Sequence, residues 1–349
     1  MSAVLGSPNA QTARHSEGVW AASWRRLKTD KVGIASMIVV GLFLILVLLA
    51  GLGIVADDWQ REVGVPNAPP TFMGPAPAED TGTIAVPKGP NVDLTDIDPL
   101  APRYKEWAER AAKYKTVDTV KAETLRFGGD RLGRDVLSKA VKGAEVSIMV
   151  GLLAALVATL IGTVLGALSG FFGGLVGDVL EWVYNVFTAI PSILLIFAFA
   201  AIFHRSVTSV VLILALTGWT GIYRLIRSEF IKHSVREYVR SAEAIGASKM
   251  SRMFRHILPN VSHVALVQLS LHVVFFIKSE VILSYLGLGV GVDQVSWGTM
   301  LSEAQSELIL GYWWQLVVVA AFMALFVTAF ALFTDALRDA LDPKLRGLE

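Results

Sequence analysis

Six long apolar runs constrain the fold of this chain more than any other feature: roughly residues 32–55, 146–168, 180–203, 207–223, 264–286 and 313–333. A helix needs about 20 apolar residues to cross a hydrocarbon core of about 30 Å. Each run reaches or approaches that length, and the 349 residues are 54% hydrophobic with a mean hydropathy of +0.55. Lipid offers the backbone no hydrogen bonds, so such runs satisfy themselves as helices. The expectation is an all-α polytopic membrane protein with six transmembrane helices. Its first partner is the lipid bilayer, and no feature points to nucleic acid. With no cysteine, the chain carries neither a disulfide framework nor a thiolate metal site.

Orientation follows from Lys/Arg bias in the short polar segments. The leader carries Arg14, Arg25, Arg26, Lys28 and Lys31 against Glu17 and Asp30. Residues 224–260 carry eight Lys/Arg against three Glu, and the tail adds Arg338, Lys344 and Arg346. Six crossings put all three on one side, so both termini and that loop are expected in the cytoplasm. The resulting division is a tail at 1–31, a first, retained helix at 32–55, an external insert at 56–141, a core at 142–337 and a tail at 338–349. Multi-pass residence in a membrane follows.

Residues 64–92 hold seven prolines, a composition that favours an extended, poorly packed loop. From Pro102 the pattern turns helical, with Tyr104, Trp107, Ala108, Ala111 and Tyr114 on one face. That helix suits a resting place on the protein's own outer surface, or a contact with a delivery protein. Gly166, Gly170, Gly173 and Gly174 flank the turn after the second crossing, where small residues permit close helix approach. Pro191 falls inside the third run and predicts a kink there.

The loop at about 225–260 is polar and basic, yet patterned like structure. Val239, Ala242 and Ile245 give a short helix an apolar side, and Gly246 is placed to end it in a left-handed cap. Ser248 can cap a second helix. There Met250, Met253, Phe254 and Ile257 recur at i, i+3, i+4 and i+7 as one apolar stripe. Two readings fit this pattern equally: a docking element for a partner, or an amphipathic helix lying on headgroups.

The segment Glu237-Tyr-Val-Arg-Ser-Ala-Glu-Ala-Ile-Gly-Ala-Ser248, ending at His256-Ile-Leu-Pro259, resembles the cytoplasmic "EAA" loop of bacterial ABC-importer permeases. Ala242, Gly246, Leu258 and Pro259 match the general pattern, while Arg240, Ser241 and His256 depart from it. Three further blocks resemble the "C" subunit of the dipeptide/oligopeptide branch. They are Gly129-Asp-Arg-Leu-Gly-Arg-Asp-Val-Leu-Ser138, Ser284-Tyr-Leu-Gly-Leu-Gly-Val290 with Ser296-Trp-Gly-Thr-Met-Leu301, and Asp335-Ala-Leu-Arg-Asp-Ala-Leu-Asp-Pro343.

The resemblance implies a type I permease fold that forms half of a peptide pathway. It also implies a sister permease, two ATPase subunits and an external solute-binding protein. Relatives carry dipeptides, longer peptides, glutathione, peptide-like antibiotics or nickel. Arg240, Ser241, Ala242, Glu243, Gly246, Ala247, Ser248, Leu258 and Pro259 are the implied ATPase-coupling residues. ATP and magnesium would belong to the ATPases, and no cofactor is expected here. Independently, the chain has no Gly-x-x-x-x-Gly-Lys-Ser/Thr loop to cradle phosphates and no nucleophile elbow. A non-catalytic subunit is therefore expected. His256, His263 and His272, spaced by seven and nine, form no metal motif.

Charges within the crossings are few. Lys278 and Glu280 lie late in the fifth run, two positions apart and so on different faces. Lys278 can snorkel. The shorter Glu280 is expected to face the sister subunit or a wet cavity, where it could meet substrate. A self-sufficient secondary carrier or channel is the rival class; it calls for internal repeats and more intramembrane acids.

Overall fold

The computed structural model describes residues 27–75, 98–112 and 121–341. Helices dominate them: α1 Lys31–Gly51, α2 Tyr104–Ala111, α3 Val136–Phe172, α4 Gly174–Ala189, α5 Ser192–Ile202 and α6 Val207–Ser234. They continue with α7 Glu237–Ala244, α8 Lys249–Tyr285, α9 Trp297–Ile309 and α10 Trp314–Leu341. Among the described residues, β structure is confined to isolated bridges. Five helices (α1, α3, α6, α8 and α10) are long and apolar enough to cross a membrane. The pair α4 and α5 adds a sixth crossing if its two arms form one span.

Local chemistry sets the boundaries. Asp30 accepts from the Val32 N–H at 2.9 Å to start α1, and Asp135 accepts from the Ser138 N–H at 2.8 Å to start α3. Ser206 caps α6, and Ser296 opens α9 with a reciprocal capping box involving Thr299. Pro191 breaks the third run outright: α4 and α5 meet at 87°. A proline lacks the N–H that would continue the helix, and here it stands as the N-cap of α5.

The largest interface joins α3 to α6. A Cβ added at Gly162, Gly166 or Gly170 would lie 2.7, 2.7 or 2.5 Å from the carbonyl oxygens of Trp219, Tyr223 and Arg227. The three glycines are spaced at i, i+4 and i+8, so they form one stripe on which α6 rests. Residue numbers rise together along the contact, so α3 and α6 run parallel. Without a hydrophobic driving force inside lipid, such backbone approach is what holds helices together.

Contacts define two ends of the bundle. Lys142 Nζ donates to the Ala50 carbonyl at 3.3 Å, joining the end of α1 to the start of α3. Ser147 Oγ donates to Glu280 at 2.6 Å near the close of α8. At the opposite end a Cβ on Gly33 would meet Ala336 at 2.8 Å, and the Arg252 guanidinium lies 5.8 Å from the Phe171 ring. The start of α1, the finish of α3, the α7–α8 hairpin and the finish of α10 thus share one end. The insert crowns the other.

The insert departs from expectation. Residues 64–75 are packed: the N–H groups of Val65, Asn67 and Thr71 donate to the carbonyls of Ala122, Asp130 and Leu125 at 2.9, 2.8 and 2.8 Å. Extended, proline-rich backbone runs alongside 122–135, so its polar groups find partners there; the rest of 64–92 lies outside the described residues. Helix α2 forms as expected, but none of its residues is buried, so the protein's own surface does not cover it. Tyr104 and Trp107 pack against each other instead, with tilted rings 5.8 Å apart; Tyr114 lies outside the described residues.

Candidate functional site

The α7–α8 hairpin is built from its glycine outward. Gly246 has φ +90°, a left-handed conformation that costs other residues strain. Around it the Ala247 N–H donates to the Ala242 carbonyl and the Gly246 N–H to the Glu243 carbonyl, both at 2.9 Å. This pair of bonds is a Schellman cap. Ser248 Oγ then accepts from the Ser251 N–H at 3.2 Å and starts α8.

Val239 and Ala242 pack inward, whereas Ile245 is 85% exposed. The expected stripe on α8 is likewise split, with Met253 and Ile257 fully buried and Met250 and Phe254 about half exposed. The reason is a π turn over Arg252–Ile257, closed by the Leu258 N–H on the Met253 carbonyl. Pro259 has no N–H and would clash with the carbonyl four residues back; widening the preceding turn relieves that clash. Asn260 Nδ2 then satisfies the His256 carbonyl at 2.7 Å.

The hairpin is pinned to the bundle yet open to solvent. Arg252 pairs with Glu243 at 2.6 Å and stacks over Phe171. Arg240, Ser241, Gly246, Ser248 and Pro259 are exposed, with Ala247 and Leu258 half-buried. Nothing lies within 4 Å of a Cβ placed on Gly246. The result is a rigid bracket presenting Ile245, Met250 and Phe254 beside Arg240, Lys249 and Arg255. It brings together the predicted coupling residues 240–248 and 258–259.

Pro191 and Lys278 lie elsewhere; Lys278 is exposed on the side of α8. The expectation for Glu280 is a place facing the sister subunit or a wet cavity, and the structure turns it inward instead. It is fully buried inside its own chain, accepting from Ser147 and Ser284 at 2.6 Å each. The Trp297 N–H donates to the same Ser147 at 3.1 Å. Glu280 therefore clasps α3, α8 and the start of α9.

Sequence reasoning missed a second cluster, at the insert end. Lys139 and Asp130 are fully buried and 2.7 Å apart. Lys139 also reaches Glu303 at 2.5 Å, and Arg134 pairs with Asp130 at 2.6 Å. Burial alone would raise the Asp130 pKa, but Lys139 and then Arg134 outweigh it and hold the carboxyl below its ordinary value. Glu307 is shifted the other way: burial raises it, against the Arg131 N–H that donates to it at 3.0 Å. The available signal was charge density, since Asp130, Arg134, Asp135 and Lys139 crowd the start of an apolar run.

Residues 162–347 match the family described as the binding-protein-dependent transport system inner membrane component. Residues 18–70 match the N-terminal TM domain of oligopeptide transport permease C. The chain belongs to this permease family. It is accordingly a multi-pass protein of the inner membrane.

The permease is similar to the oligopeptide transport system permease protein OppC of Bacillus subtilis (strain 168). The two are 34% identical over 247 residues, 71% of this chain and 81% of that protein. Similarity to the dipeptide transport system permease protein DppC of Lactococcus lactis subsp. cremoris (strain MG1363) is 26% over 322 residues, 92% and 90% of the two chains. A third relative is the glutathione transport system permease protein GsiD of Shigella flexneri serotype 5b (strain 8401), 37% identical over 223 residues, 63% of this permease and 73% of GsiD.

Proposed function

We propose that this permease is one transmembrane half of an ATP-driven importer of peptides. A sister permease completes the pathway, two separate ATPase subunits drive it and an external binding protein delivers solute. Six crossings, counting the bent α4–α5 pair, leave both termini and the α7–α8 hairpin in the cytoplasm and residues 56–141 outside. ATP and magnesium act in the ATPases, and this subunit performs no catalysis. The observation that carries the reading is the exposed, doubly capped hairpin, whose apolar residues Ile245, Met250 and Phe254 lack cover. ATPase closure would push it, and its continuity with α8 through the π turn would pass the push into the bundle.

Relatives named for oligopeptides and dipeptides support peptides as the solute. The GsiD likeness makes glutathione the second solute to test. The decisive experiment is reconstitution. The full assembly should accumulate peptide only with ATP and binding protein, and this subunit alone should accumulate none. Uphill uptake by the isolated chain would refute the proposal.

A further inference from the structure

At the insert end a cavity of about 340 Å³ opens between Trp59, the 131–134 turn, α9 and the 287–295 loop. That volume lies within the range of small-ligand clefts, about 300–1,000 Å³. Most such clefts are apolar, but this one is lined by Arg131, Arg134, Lys139 and Arg205 against Glu303. Two of the cations are spoken for, because Arg134 and Lys139 pair with Asp130 and Glu303. Arg131 and Arg205 are exposed, and among the described residues neither has a carboxylate within ion-pair distance. Asp293, on the loop opposite, does not line the cavity and turns to Gln294 Nε2 at 3.5 Å.

Both arginines have fixed roots. The Arg131 N–H is anchored on buried Glu307, and Arg205 directly precedes the Ser206 cap of α6. Two guanidinium groups on rigid backbone, in a concave space, suit a small carboxylate, which such forks bind in bidentate fashion. A flat protein face would leave the concavity unfilled. The floor includes Ser284 near the end of α8, so the cavity reaches the mouth of the bundle.

We propose that this cavity receives the free carboxylate of the transported peptide, held by Arg131 and Arg205 before passage. The inference rests on the peptide-import reading and adds a place and a chemical determinant to it. The test uses the complete importer in proteoliposomes with saturating binding protein, and two probes: tri-alanine and its C-terminal amide. Wild type should carry the free acid faster than the amide. In Arg131→Gln/Arg205→Gln, acid uptake should fall about tenfold, the lower bound for losing one hydrogen bond to a charged group. Amide uptake should hold, so the ratio of the two rates approaches one, and Arg205→Lys should restore part of the preference. Equal losses for both probes would mean that the arginines dock the binding protein or hold the fold, and would overturn the inference. Unchanged uptake of both by the co-purified complex would also overturn it. Absence of ATP-dependent uptake of either probe by wild type would instead bring down the peptide reading, and this inference with it.

Discussion

Buried charge decides the outcome at the scale of single residues. Lys139 sits fully buried between Asp130 and Glu303, and removing it leaves Arg134, among the described residues, as the one cation for two carboxylates. Lys139→Met should cost about 3–5 kcal/mol, the usual penalty for breaking a buried pair, read as a lower denaturation midpoint in detergent. Acid should dismantle the same cluster in a defined window. The Asp130 pKa is depressed on folding, so its stabilisation is complete above its unfolded value of about 3.9 and lost as pH falls through the folded one. The stability difference between wild type and Asp130→Asn should stay level from pH 7 to about 5 and shrink below about 4. A difference that vanished by pH 6 would contradict the assignment. None of this was legible from hydropathy, which locates crossings but not their neighbours. The same blindness misplaced Glu280. Along residues 258–285 of α8 polar and apolar side chains fall on every face, so periodicity does not show which face is interior, whereas hydroxyls from Ser147 and Ser284 do.

Glycine and proline explain most of what happens to whole elements. Gly166 lies where a Cβ would press on the Tyr223 carbonyl at 2.7 Å, so Gly166→Val must push α3 from α6. Little folded protein should survive membrane extraction, whereas Gly221→Val, with nothing within 4 Å of its Cβ, should be recovered normally. Gly246 is the opposite case: space is open, but φ is +90°. Asparagine tolerates that region and valine does not. Gly246→Asn should therefore keep most ATPase association and uptake. Gly246→Val should lose both while the permease still folds, as checked by co-purification and transport; retention of coupling by the valine variant would remove the hairpin from the mechanism. The cap at Gly246 and the break at Pro191 were readable because each needs only one residue's backbone chemistry. Element lengths were not. Helix α3 spans 37 residues, roughly 55 Å at 1.5 Å per residue, against an apolar run of about 23. Its first turns carry Lys139, Lys142 and Glu145; Lys139 pairs with Asp130 of the insert and Lys142 with Glu145 within α3, which stabilises them where lipid would not. The π turn was equally hidden, because it answers a proline that lies beyond it in sequence.

For the whole molecule, the parity of the crossings makes a prediction stronger than charge bias alone. Helices α3 and α6 run parallel along the glycine stripe, so an odd number of crossings must return the chain between them. The bent α4–α5 pair is the element available for that return. The hairpin and the insert then fall on opposite sides of the bilayer, consistent with their opposite ends of the bundle. The lack of native cysteine makes this directly measurable, since any introduced thiol is the sole reactive one. Ile245 is 85% exposed in the hairpin and Val292 is 99% exposed in the loop before α9. In right-side-out vesicles a membrane-impermeant maleimide should label Val292→Cys and spare Ile245→Cys, and inverted vesicles should reverse the pattern. Binding of the ATPase subunits should protect Ile245→Cys alone, and binding protein should slow only Val292→Cys. The reverse pattern, Ile245→Cys labelled and Val292→Cys spared in right-side-out vesicles, would mean that α4–α5 is a re-entrant loop, because α8 alone separates the two sites. The chain would then have five crossings, and the hairpin could no longer meet ATPases in the cytoplasm while the arginine cavity faces outward.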